Sequence, residues 1–149
     1  MFHEVVAEGA TGPERDTGEM TAATLLASFE TLVSEAVAEA GRDRIAEETG
    51  IDGERLAAAA AGDVEGLRLE DGVAIVAVPT DRDGDVLVAE VRDHLLMGMA
   101  TAVLDVDTIA AAIDADLTGQ EVQQALEGRA AMTLGQLAEI MAVIERRKP

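Results

Sequence analysis

Asp93 and His94 are the pair in this sequence that comes closest to an acid–base couple, and Asp105 and Asp107 follow shortly after them. A carboxylate that orients an imidazole can assist proton transfer. However, both residues fall in a segment with a helical pattern, and consecutive helical residues do not face each other. The sequence places no serine nucleophile nearby, contains no cysteine and has no glycine-rich phosphate loop. We therefore expect no enzyme; an enzyme with an unrecognised site near His94 is the alternative.

The segment 81–85 reads DRDGD, and its alternating aspartates are similar to the start of a calcium-binding loop. Such a loop also needs a bidentate glutamate at its twelfth position, which falls on Arg92 here. His3 beside Glu4 could suggest a metal ligand, but a single histidine without further ligands nearby in the sequence is usually solvated. We expect neither a metal site nor a cofactor, and we interpret the segment as an acidic turn that caps the following helix through Asp85.

The composition carries 30 acidic and 11 basic residues, a formal net charge of −19, with Lys148 as the only lysine. It resembles that of cytosolic proteins from salt-in halophiles such as haloarchaea. In molar salt the Debye length falls to about 3 Å, so self-repulsion is screened while carboxylates keep the surface hydrated. An acidic mimic of nucleic acid is the weaker interpretation, because the acidic residues are spread along the whole chain. The hydrophobic fraction of 48% is enough to build a core.

The chain shows no signal for export or membrane insertion. No apolar run reaches the roughly 18 residues that a membrane span needs, and the N-terminus lacks the basic and apolar regions of a signal peptide. The absence of cysteine also excludes disulfides and cysteine-based metal sites. We expect a cytoplasmic protein with no membrane partner.

Hydrophobic periodicity predicts an all-α fold, with a flexible segment at 1–20 and a single domain at 21–149. A helix from Thr21 to Ala40 has apolar residues at helical spacing. The central helix, predicted at 86–104, is apolar on nearly every side from His94 onward, which is typical of a buried helix. Gly98 in its middle costs roughly 1 kcal/mol against alanine, so we expect another helix to approach closely there.

Two segments, approximately 43–78 and 108–147, align as copies of one three-helix unit. Gly62 matches Gly128 when the second copy is given two extra residues before its middle helix and one fewer in the following loop. The matched apolar positions are Ile45 with Ile109, Leu67 with Met132, Leu69 with Leu134, and Ile75 with Ile140. By itself, 67–88 reads either as helix or as a β-hairpin around Asp-Gly. The helical pattern of the second copy favours helix.

Each unit resembles the core of lambda-repressor/Cro-like helix-turn-helix domains, which have a short helix, a tight turn, a second helix ending in glycine, a loop and a third packing helix. The order is followed by IAEETGIDGERLAAAAAGD and the LEDGVAIVAV after it. The second unit departs from it, since its turn is longer and lacks the glycine. The whole chain also resembles an uncharacterised protein family of halophilic archaea.

The helix-turn-helix resemblance implies that the second helix of each unit would enter the DNA major groove. In the second unit, Gln120, Gln123 and Gln124 would read adenine and Arg129 would contact a phosphate. The equivalent helix of the first unit is lined with alanine and offers little to DNA. Our leading prediction is a non-enzymatic interaction or regulatory protein that binds a protein partner or itself as a homodimer. An acidic DNA-binding transcription regulator is the alternative.

Overall fold

The computed structural model describes residues 21–148, which form eight α-helices and no strand. The predicted flexible segment 1–20 lies outside the described residues. The helices are α1 (Ala22–Ala40), α2 (Arg42–Thr49), α3 (Gly53–Ala60), α4 (Leu69–Ala77), α5 (Gly84–Ala102), α6 (Val106–Ala112), α7 (Gly119–Leu126) and α8 (Leu134–Arg147), with a 3-10 turn at Val78–Thr80. The predicted all-α fold is confirmed, and the hairpin alternative for 67–88 is wrong.

The helix ends are fixed by the local chemistry that the sequence predicts. Thr118 and Glu121 form a reciprocal capping box at α7, and Thr133 and Gln136 form another at α8. Each box satisfies two backbone N–H groups that would otherwise lack a partner. Gly50 ends α2 in the left-handed conformation, which glycine adopts without steric cost.

The two units meet through a pair of reciprocal hydrogen bonds between their third helices. The Leu69 N–H donates to the Met132 carbonyl oxygen at 2.8 Å, and the Leu134 N–H donates to the Leu67 carbonyl oxygen at 2.7 Å. These are the positions that the repeat alignment pairs. The residues that the alignment treats as equivalent therefore make reciprocal bonds between the two segments.

Helices α4 and α8 lie between α1 and α5, and each of them contacts both. Helix α8 contributes more buried residues than any other described helix, because apolar residues occupy most of its sides. Its buried residues are Leu134, Leu137, Ala138, Ile140, Met141, Ala142, Val143 and Ile144. The core thus centres on the two paired third helices.

The prediction for the central helix is partly wrong. Gly98 is buried against α8 as expected: a Cβ placed on it would lie 2.7 Å from Ile144 Cγ2. However, α5 is buried along only one face, because α4, α7 and α8 cover a single side of it. The helix also starts at Gly84 and is capped by Asp83, whose carboxylate accepts from the Asp85 N–H, so the predicted capping role of Asp85 is wrong.

Candidate interaction face on the central helix

The outward side of α5 exposes large apolar side chains to solvent. Among residues 21–148, all the exposed large hydrophobic residues belong to α5 or directly follow it: Val86 (52% exposed), Leu96 (46%), Met97 (71%) and Val103 (89%). Isolated exposed apolar residues are common, but a cluster along one helix marks an interaction surface.

Six positions on the outward side of α5 and at its end recur in alternating steps of three and four, over about five helical turns. They are Val86, Ala89, Asp93, Leu96, Ala100 and Val103, and we refer to them as the α5 stripe. All six are exposed. A 3–4 repeat averages 3.5 residues per turn and keeps side chains on one side of a helix, as in the seam of a coiled coil. Only Asp93 in the stripe is charged.

Val103 ends the stripe in an unusual backbone conformation. Its φ of 55° and ψ of 53° are left-handed, a region that β-branched residues rarely occupy. The conformation closes α5, since the Leu104 N–H reaches the Met99 carbonyl oxygen at 2.9 Å. A left-handed L-residue costs roughly 1–2 kcal/mol, and glycine would avoid that cost. Such strain tends to cluster at functional sites, and here it coincides with the most exposed large apolar side chain.

A groove of about 540 Å³ lies beside the stripe, between α5 and α7. Val88, Leu96 and Leu126 contribute apolar surface to it, together with Arg92. The Arg92 guanidinium donates to Glu70 Oε1 at 2.9 Å and to the Ala125 carbonyl oxygen at 3.4 Å. Arg92 is therefore held by contacts to neighbouring helices. The groove wall beside the stripe combines these apolar side chains with carboxylates, among them Asp85 and Glu127.

Asp93, His94 and Asp105 lie in different surroundings. Asp93 is exposed on the stripe, whereas His94 is half-buried. Asp105 caps α6 by accepting from the Thr108 N–H at 2.8 Å. The hydrogen bonds from Thr108 hold the pKa of Asp105 below its ordinary value, because they stabilise the carboxylate. This carboxylate thus serves a helix end.

The acidic turn at 81–85 is also engaged in structural contacts. Asp81 lies 3.6 Å from the Arg44 guanidinium, and Asp83 caps α5. No group of three or more histidine, aspartate or glutamate side chains that could hold a metal ion occurs within residues 21–148. His3 and Glu4 lie outside the described residues.

The four residues predicted to contact DNA lie on α7 and in the turn that follows it. Gln120 and Gln123 are exposed, but Gln124 is half-buried. Arg129 forms an ion pair with Glu127, and the Gln123 side-chain N–H donates to Glu127 Oε2 at 3.4 Å. Arg129 and then Gln123 lower the pKa of Glu127. The one cation of this set is therefore already paired with a carboxylate.

A second groove, of about 720 Å³, opens between the start of α1, the loop before α4 and the start of α8. Glu139 lies on its wall and accepts from the backbone N–H groups of Asp114 and Ala115, at 2.7 and 3.1 Å. This carboxylate closes the turn before α7. The groove thus brings together backbone and cap groups that already have partners.

Sequence reasoning missed the α5 stripe because it interpreted an all-round apolar helix as an all-round buried one. The available signal was the 3–4 spacing from Val86 to Val103, on the side opposite the row of Leu87, Val91 and Leu95. A helix with two apolar faces can use one of them inside its own domain and the other outside it.

Comparison with known proteins gives one relationship. The model of a family of unknown function, DUF5791, matches residues 25–147. No curated protein and no solved structure matches the chain. Within residues 21–148, no single helix is long and apolar enough to cross a membrane; α5 and α6 satisfy length and composition only as a pair bent by 96°.

Proposed function

The chain belongs to the DUF5791 family, whose function is unknown, and we propose that it is a non-enzymatic interaction protein that binds a protein partner through the α5 stripe. The observation that carries the proposal is the confinement of the exposed large apolar side chains to one side of α5. Elsewhere on the described surface, charged and small residues face solvent.

The energetics favour a protein partner for this face. Burying a large aliphatic side chain completely is worth about 1.5–3 kcal/mol. Val86, Leu96, Met97 and Val103 are between half and almost fully exposed, so each has a substantial part of that free energy still available. Interface cores are also more apolar and less charged than the rest of the surface, and methionine is enriched in them. The stripe with Met97 has this composition.

The acidic surface around the stripe disfavours nucleic acid as the partner. Phosphate contacts supply much of the affinity in protein–DNA complexes, but the cation beside the stripe and the cation after α7 are both paired with carboxylates. Arg129 is paired with Glu127, and Arg92 with Glu70. We therefore place the regulatory role in protein contacts rather than in the reading of bases.

Site-specific photo-cross-linking in cells tests the proposal. A photoreactive residue replaces Met97 on the stripe in one variant and Ala38, an exposed residue of α1, in the matched control. We expect protein adducts from position 97 and few from position 38. Substituting Val103→Glu in the first variant should reduce its adducts at least several-fold. Equal yields from the two positions, or no adduct at 97, would contradict the proposal.

A further inference from the structure

We infer that the partner of the α5 stripe is a second copy of this chain, whose own α5 packs antiparallel to the first. The inference rests on the proposed function and adds to it the identity and orientation of the partner. The argument comes from the order of the residues within the stripe.

The α5 stripe is nearly palindromic. Read from Val86 forward, the side chains are Val, Ala, Asp, Leu, Ala, Val, and in reverse they are Val, Ala, Leu, Asp, Ala, Val. In an antiparallel helix pair, each a position of one helix meets a d position of the other. Val86, Asp93 and Ala100 occupy a positions, and the other three occupy d positions.

This register brings matching side chains together. Val86 meets Val103 of the second copy, Ala89 meets its Ala100, and Asp93 meets its Leu96. The two alanine layers allow the helices to approach closely, and the valine layers close both ends. Since a two-fold interface uses the same patch on both subunits, self-complementarity of this kind is what an isologous contact needs. An unrelated partner would place no such demand on the order.

Two charged residues that flank the stripe, Glu90 and Arg92, do not oppose the pairing. Glu90 lies 3.5 Å from Arg82, and Arg92 lies 2.9 Å from Glu70, so both are paired within their own chain. Met97 and Leu104 supply further apolar surface on one flank. The exception is Asp93, because the two-fold axis brings the Asp93 carboxylates of both copies near each other. Salt screens that repulsion, so the dimer should tighten as salt rises.

The pairing also accounts for the strained end of the helix. Val103 keeps a left-handed backbone and projects an apolar side chain into solvent in the isolated chain. In the antiparallel pair, that side chain is covered by Val86 of the second copy. A glycine at this position would relieve the strain but would remove the outermost apolar layer at both ends of the interface.

Engineered disulfides test the register directly, since the chain contains no cysteine of its own. Ala89→Cys and Ala100→Cys are made as separate proteins, with Ala38→Cys as the control. Under mild oxidant at high salt, we expect the mixture of the first two to give a species of twice the 15.5 kDa chain mass, while each alone gives little. Efficient cross-linking of each variant by itself would indicate a parallel pair and overturn the inference, as would yields no higher than those of the control.

Sedimentation equilibrium tests the partner. We expect a dimer that Leu96→Asp converts to monomer, and that Asp93→Leu tightens by about tenfold, or roughly 1.4 kcal/mol. A basic partner protein would instead lose affinity on Asp93→Leu, because its cation would face a leucine. A monomer at every salt concentration, with adducts to other proteins at position 97, would overturn the self-association and leave the proposed function standing. Absence of any adduct there would overturn both.

Discussion

The two three-helix units close the same turn by different means. In the first unit, Gly50 ends α2 in a left-handed conformation, and α3 starts three residues later. In the second unit, the chain leaves α6 extended at Ile113, and Glu139 from α8 holds the N–H groups of Asp114 and Ala115. One turn depends on a local backbone property, and the other on a side chain from a distant helix. The two units thus keep the same order of helices, although the residue that closes the turn differs between them.

The third helices of the units differ in length for an equally local reason. The repeat alignment places Pro79 opposite Ile144. Proline cannot continue the α-helix, so α4 gives way to a 3-10 turn, whereas α8 runs on to Arg147. The extra part of α8 carries Ile144 against Gly98 of α5. In the first unit, α4 has already ended at Ala77, before the equivalent position.

Truncating the two aligned leucines should cause the largest loss of stability and tests whether the units contribute equally. Leu69 and Leu134 are fully buried and aligned, so we expect Leu69→Ala and Leu134→Ala to lower the free energy of unfolding by similar amounts, about 2–5 kcal/mol each. Urea denaturation followed by circular dichroism measures both values. A difference larger than about half of either value would show that the two units do not share the core equally.

Overpacking the α5–α8 contact tests the part of the second unit that has no counterpart in the first. Gly98→Leu should lower the free energy of unfolding by about 1–3 kcal/mol, because its Cβ would overlap Ile144. Combining it with Ile144→Ala should recover part of the loss, which a double-mutant cycle detects. Simple additivity of the two losses would place the strain elsewhere.

Removing the group that closes each turn should cause an intermediate loss of stability. Gly50→Ala should cost about 1–2 kcal/mol, because alanine resists the left-handed region. Glu139→Ala should cost a similar amount, about 1–2 kcal/mol, by removing a charged acceptor from two N–H groups. Amide hydrogen exchange separates the two variants: only the second should speed exchange at Asp114 and Ala115. Unchanged protection there would argue against the role of Glu139.

The caps of the third helices give the smallest effect and the sharpest contrast. Thr133 caps α8, while Arg68 at the equivalent position of α4 makes no side-chain cap bond. Thr133→Ala should therefore cost about 1 kcal/mol. Arg68→Thr should instead stabilise the protein by up to about 1 kcal/mol. Thermal melts of both variants at one salt concentration provide the measurement, and a loss of stability on Arg68→Thr would show that the arginine has another role.

Much of the fold follows from the sequence because helix ends are local. Thr118, Thr133 and Asp52 cap the helices that they precede, and the capping signals are readable within four residues. The repeat alignment treated Leu67 and Met132, and Leu69 and Leu134, as equivalent residues, and these four residues form the two bonds between the units. The assignment of 67–88 as helical also followed from the repeat, since that segment alone fits either structure.

The candidate site could not be predicted in the same way. Hydrophobicity shows that a side chain favours burial, but it does not show which protein surface covers it. Leu95 and Leu96 are adjacent and chemically identical, yet one is buried and the other is half-exposed, because α4, α7 and α8 lie on one side of α5 only. The choice between Asp83 and Asp85 as the cap failed for a related reason, since both are suitable residue types.

The reciprocal bonds between Leu67, Leu69, Met132 and Leu134 have a consequence for how the protein is synthesised. These bonds join residues about 65 positions apart in the chain. The first unit therefore leaves the ribosome well before the helix that completes the core. Domains tend to fold from the N-terminus as they emerge, but α8 packs against both α1 and α5 and is synthesised last of the helices described. Until then the faces of α1 and α5 that α8 covers are exposed to solvent, and contacts between residues distant in sequence form slowly. We expect the nascent chain to depend on chaperones until residues 134–147 have emerged.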